Sequence, residues 1–127
     1  IYGGIEVTAG QWSFSLFTEG RGVALEPAGF IVSLYWGSLT VGRIILGQVA
    51  DWIGTAKLLR ICHIVTIAGA AMMAIPALPI LGFIGLALIG FAIAPIFPTV
   101  IQLTPARVGA KAAATTIGFQ VGVTSLG

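Results

Sequence analysis

Charge is what this chain has least of. Six lysines and arginines and four acidic residues are spread over 127 positions, 8% of the whole. Soluble globular domains carry about 25%. A water-facing surface cannot be built from so few charges, and 57% of the residues are hydrophobic. The formal net charge of +2 and the absence of a basic stripe exclude a nucleic-acid partner. Cys62 stands alone, so no internal disulfide forms. His63 is the single histidine, and a Cys-His neighbour pair without further ligands is not a metal site. No nucleophile elbow, Walker loop or paired catalytic carboxylate is present, so neither an enzyme nor a cofactor is expected. The apolar opening lacks a basic n-region and includes Glu6, which excludes a signal peptide. The first residue is Ile1 rather than methionine and the last, Gly127, falls inside an apolar run, which predicts a fragment cut at both ends.

What is present is a series of long apolar runs. A helix needs roughly 20 apolar residues to cross the hydrocarbon core. Spans are expected at about 1–17, 28–50, 58–75, 80–103 and 112–127. The polar stretches Thr18–Pro27, Asp51–Arg60 and Thr104–Lys111 and the tight Pro76–Pro79 turn separate them. Membrane barrels need short segments of alternating polarity, and these runs do not alternate. The reading is an all-α, multi-pass integral membrane protein of a plasma or bacterial inner membrane, with the lipid bilayer as its first partner. Lys57 and Arg60 lie in one loop and Arg107 and Lys111 in another, so loops 51–60 and 104–111 are expected on the cytoplasmic side. Small residues do the packing where lipid removes any hydrophobic drive between helices. The Gly118–Gly122 spacing reads as ordinary helix contact of this kind.

The segment from Gly42 to Arg60, GRIILGQVADWIGTAKLLR, resembles the loop signature of the major facilitator superfamily. Gly47, Asp51, Gly54, Lys57 and Arg60 occupy that pattern, with Trp52 where an arginine is common. GFAIAPIFPTVI (Gly90–Ile101) is similar to the tenth span of such transporters, with Pro95 and Pro98 as its proline pair. YGGIEVTAGQW (Tyr2–Trp12) is similar to the seventh span of the sugar-permease branch that includes fucose–proton symporters. The resemblance implies spans seven to ten and the start of eleven, a partial six-helix C-terminal half-bundle whose partner is the missing N-terminal half. It implies secondary transport of a small, sugar-like solute by alternating access, with proton symport. It also assigns the Gly47–Arg60 group to gating. An exporter of drugs or metabolites from the same superfamily is the alternative. An intramembrane enzyme or structural subunit is a third class, disfavoured because Glu6, Arg43 and His63 fall at different depths.

Glu6 carries the most information. Counted back from Phe17 at 1.5 Å per residue, it lies roughly 16 Å inward, near the midplane. A carboxylate there is costly and is a functional candidate by default. It fits a proton carrier coupled to solute flow, and it fits a paired group that only joins helices. Tyr2, Gly10 and Ser13 share its helical face. Trp12 lies off that face and suits either stacking on a sugar or packing. Arg43 is the second intramembrane charge. It is expected to snorkel or to pair within the loop signature, with binding of an anionic solute as the lesser reading. Trp36 suits cavity lining and lipid contact equally. Gln120, flanked by Thr116 and Thr124, gives the fifth span a polar stripe that the resemblance assigns to solute. Pro95 and Pro98 remove backbone donors and kink the fourth span.

Overall fold

The computed structural model describes residues 2–125. They form the helices α1 (Tyr2–Ser15), α2 (Leu25–Ile53), α3 (Thr55–Met73), α4 (Pro79–Ile93), α5 (Ile96–Val108) and α6 (Ala110–Ser125), with a π-helical turn at Leu16–Gly20. No strand occurs among the described residues. Among the described residues, three stretches are long and apolar enough to cross a membrane: α2, α3, and α4 with α5 taken together over Pro79–Val108. Helices α1 and α6, at 14 and 16 residues, are shorter than a full span. The expected span ends at residues 1, 126 and 127 lie outside the described residues.

The surface inverts the logic of a water-soluble protein. Phe30, Ile64, Ile67 and Phe119 stand exposed on the flanks. The interior is tied together by backbone approach. A Cβ at Gly85 on α4 would lie 2.5 Å from the Gly69 carbonyl oxygen of α3, and one at Gly69 would lie 2.7 Å from the Gly85 oxygen. A Cβ at Gly42 on α2 would come within 2.5 Å of the Phe91 oxygen on α4. Pro95 has no N–H to return to that Phe91 carbonyl, which faces the Gly42 backbone instead. Helix α4 is therefore the shared wall between α2 and α3, and α5 pairs with α6. Gly118 and Gly122 meet nothing within 4 Å. The expected contact at that GxxxG spacing is absent among the described residues.

The connections correct the expected loops. Asp51 ends up inside α2, Lys57 and Arg60 inside α3, and only Gly54 separates the two helices. Arg107 closes α5 and Lys111 opens α6, with only Gly109 between. Both glycines sit at positive φ, +82° and +79°, with extended ψ. That backbone region is nearly closed to other residues, so one glycine reverses the chain where polarity alone suggested a loop of several residues. The fourth run is likewise interrupted. The α-helical pattern stops at Ile93 and resumes at Ile96, with Pro95 at the break and Pro98 in the first turn of α5, where a missing N–H is tolerated. Helix α2 starts at Leu25, earlier than expected, and its 29 residues outrun the hydrocarbon core.

Arg21 belongs to the connection between α1 and α2, yet it turns inward. Its guanidinium donates to the Met73 carbonyl at the end of α3 and lies 5.3 Å from the Phe17 ring centre. Nη1 is buried beside Gly82 without a partner. The end of the bundle opposite Gly54 and Gly109 is thus cross-tied by one side chain.

Overpacking a helix contact costs about 1–3 kcal/mol. Gly85→Val in the full-length protein that carries this segment is therefore expected to lower thermal stability by that amount, whereas Gly118→Ala, with open space around it, stays within about 0.5 kcal/mol of wild type. Gly54→Ala is expected to cost about 1–3 kcal/mol because its φ must stay positive. Thermal melting in detergent, followed by size-exclusion recovery, measures all three.

Candidate functional site

Helix α1 crosses α2 where two small contacts fix their rotation. Gly10 lies beneath the Trp36 indole, at a distance that leaves no room for a side chain: a Cβ would be 2.5 Å from Cζ2. Tyr35, fully buried, donates from Oη to the Glu6 backbone carbonyl at 3.0 Å. Its ring meets Trp36 edge-on at 5.3 Å. With the helices so placed, Arg43 Nη2 reaches Glu6 Oε1 at 3.1 Å. This ion pair joins two charges that counting along the helices sets apart. Counting residues along each helix neglects the length of an arginine stem, which carries the charge away from its backbone position. Arg43 pairs with Glu6 and makes no ion pair within the Gly47–Arg60 segment among the described residues. Glu6 is 18% exposed and Arg43 49%, so the carboxylate is sheltered while the guanidinium keeps an open side.

The Tyr2 side chain lies between the Glu6–Arg43 pair and α5. Its ring stacks on Phe97 with centroids 5.7 Å apart and planes 14° from parallel. Its hydroxyl is buried and has no hydrogen-bond partner. A cavity of about 370 Å³ opens beside it between α1, α5 and α6, walled by Phe97, Val100, Phe119, Gln120 and Thr124 among others. Gln120 Oε1 lies 3.0 Å from Thr104 Oγ1, and the Thr124 hydroxyl donates to the Gln120 backbone carbonyl at 2.7 Å. The Gln120 Oε1 and the Thr124 hydroxyl are therefore engaged within the protein.

The other sequence candidates fall elsewhere. Trp12 is 69% exposed and borders a separate hollow with Thr8, Leu16 and Met73. Ser13 is buried, but its hydroxyl donates to the Ala9 carbonyl of its own helix. Trp36 packs on Gly10 and Tyr35, half of its choice between cavity and lipid being taken up by helix contact. Gly47 faces open space. Asp51, Lys57 and Arg60 make no ion pair among the described residues, where Arg43–Glu6 is found. His63 Nδ1 lies 2.6 Å from the Leu59 carbonyl, at the helix surface and away from Glu6. Sequence reasoning missed Tyr35 altogether. Its signal was weak: an isolated tyrosine in an apolar run, one turn from Leu39 and two from Gly42, reads as ordinary core.

Breaking the pair from either side leaves a charge in a sheltered position. Glu6→Gln and Arg43→Gln are each expected to destabilise the protein. The double variant should recover about 1 kcal/mol of the summed loss, a value held down by the exposure of Arg43. Additive losses in a double-mutant melting cycle would show that the pair contributes nothing.

The sequence model described as Major Facilitator Superfamily matches residues 1–127. Bypass of stop codon protein 6 of Saccharomyces cerevisiae is 37% identical over 51 residues, which cover 40% of this chain and 10% of the yeast protein. The aligned part of this chain thus spans about a tenth of that relative's length. No solved structure matches the chain significantly.

Proposed function

The chain belongs to the Major Facilitator Superfamily, whose members are membrane transporters rather than enzymes, and on that premise we propose that it is part of the C-terminal half of a secondary transporter that moves a small solute by alternating access. The Glu6–Arg43 pair beside an aromatic-walled cavity carries this reading. A carboxylate and a guanidinium held in hydrocarbon are costly, and such pairs mark solute or proton paths. We assign Glu6 the role of proton carrier. When Glu6 is ionised, its bond to Arg43 ties α1 to α2. When it takes a proton the charge attraction is lost, and α1 keeps only the Tyr35 bond and its glycine contacts to α2. A solute gradient and a proton gradient then share one gate. The segment from Gly47 to Arg60, with its single-glycine reversal, is the proposed hinge on the cytoplasmic side. The missing N-terminal half supplies the facing wall of the passage.

Two substrate readings divide on the cavity. A sugar, suggested by the likeness of Tyr2–Trp12 to fucose–proton symporters, requires several polar partners at once, because each buried hydroxyl left unpaired is costly. Trp12, the residue suited to stack on a sugar ring, is remote from the cavity. The walls are mainly aromatic and aliphatic, which favours the second reading, a less polar drug-like or metabolite solute.

In proteoliposomes holding the full-length protein, Glu6→Gln is expected to cut uptake driven by a pH gradient at least tenfold while gradient-free counterflow continues. Unchanged gradient-driven uptake would remove the proton role from Glu6. Failure of the wild type to move any solute would remove the transporter reading itself.

A further inference from the structure

We propose that the solute is a small monocarboxylate, which takes the place of Glu6 on Arg43 when Glu6 binds a proton. The inference rests on the transporter reading and names the class of solute. It follows from charge. Glu6 and Arg43 together are neutral, and a guanidinium does not give up its proton in a protein. A proton on Glu6 alone would leave that guanidinium without a counter-ion. Taking away one partner of a sheltered ion pair is strongly unfavourable, because the charge left behind has lost its compensation. Protonation of Glu6 therefore requires an anion to reach Arg43 in the same step. The site is then neutral again: the proton sits on Glu6, and a second carboxylate sits on Arg43.

The described residues supply no other anion. Around Glu6 the titratable groups are Arg43 and Tyr35 on α2 and Tyr2 on its own helix. Tyr35 spends its proton on the Glu6 backbone carbonyl. Helix α4 has no ionisable side chain. Arg107 closes α5 and Lys111 opens α6, at the ends away from Phe97 and Thr124, where those helices touch α1. Among the described residues, no acid but Glu6 lies within ion-pair range of Arg43. Arg43 is open to an incoming group. Its side chain is half-exposed, and the pair with Glu6 engages its Nη2 end. The planar fork matches a carboxylate, the group it already holds. A second carboxylate can approach the open side before Glu6 lets go. A neutral solute, a sugar included, brings no charge to Arg43 and cannot complete the exchange. Tyr2 borders the pair and also lines the aromatic-walled cavity, so an apolar body behind the carboxylate suits the surroundings. Proton and solute then bind together, each raising the affinity of the other.

The test uses the full-length protein in lipid nanodiscs, with empty discs of the same lipid subtracted. The probes are benzoate and benzamide, which has the ring and shape without the charge. Wild type is expected to bind benzoate more tightly than benzamide. Its benzoate affinity should fall about tenfold for each pH unit above the titration of Glu6, the slope of one linked proton. Glu6→Gln imitates the protonated acid. At alkaline pH it should bind benzoate at least tenfold more tightly than wild type, and its affinity should no longer follow pH. Arg43→Gln should weaken benzoate roughly 10- to 150-fold, the worth of one charged hydrogen bond, and leave benzamide unchanged. The double variant Glu6→Gln/Arg43→Gln strands no charge, serves where the single variant fails to fold, and should lose benzoate as well. Absence of benzoate binding, binding that survives the loss of Arg43, or a wild type indifferent to pH overturns the assignment. A pH dependence that persists in Glu6→Gln means that neutral benzoic acid is what binds, and overturns it too. So does a Glu6→Gln protein no tighter than wild type, because another acid then holds Arg43. Sugar transport without benzoate binding overturns the carboxylate class and leaves the transporter reading intact. Benzoate binding with all of these dependences, in a protein that transports nothing, upholds the site and overturns the transporter reading.

Discussion

Backbone-to-backbone contact at glycine is the constraint on which the remaining geometry depends. In hydrocarbon, burying leucine against leucine gains little over leaving it in lipid, so helices hold each other by close approach. Gly69 against Gly85 joins α3 to α4, and Gly42 against the Phe91 carbonyl joins α2 to α4. These contacts also set rotation. Gly42 must face α4, so Arg43, the next residue and about 100° around the helix, is turned toward α1. Gly10 must face Trp36, and Glu6, one turn earlier, then comes to the same side of α1 and meets Arg43. The ion pair is a consequence of where two glycines are obliged to sit.

Much of this was legible in the sequence, for a physical reason. A charge count of ten in 127 residues and continuous apolar runs admit few structures other than membrane helices. Glu6 and Arg43 stood out singly because a charge in such surroundings has few explanations. Their partnership did not, since it joins positions 37 apart on two helices, and no local pattern encodes which helices meet. Arg21 was hidden by the opposite assumption. A basic residue in a polar loop reads as solvated, whereas here it fills the space that Gly82 leaves and bonds the end of α3.

The connectors illustrate the same limit. DWIGTAKLLR and TPARVGAK read as loops because polarity rises there. The polar residues instead belong to the helices, and a single glycine at positive φ makes each connection. The rise in polarity did not mark a loss of helix. The two properties coincide in many proteins, which is why one is used to infer the other, but a glycine that can adopt the required backbone separates them.

The strengths of these contacts divide the chain into unequal parts. Helices α2, α3 and α4 are locked through their backbones, and Arg21 ties the far ends of α3 and α4 to the α1–α2 connection. Helices α5 and α6 pair chiefly with each other, beyond the break at Pro95. Helix α1 lies between these blocks. An ion pair and the Tyr35 hydroxyl hold it to one block, while the Tyr2–Phe97 stack and the contact of Gly3 with Thr124 hold it to the other. The cavity opens on that second side, where the helix pattern is already interrupted by a proline. A movement that widens or closes it therefore disturbs an aromatic stack and a proline-weakened segment, and leaves the glycine contacts of the first block untouched.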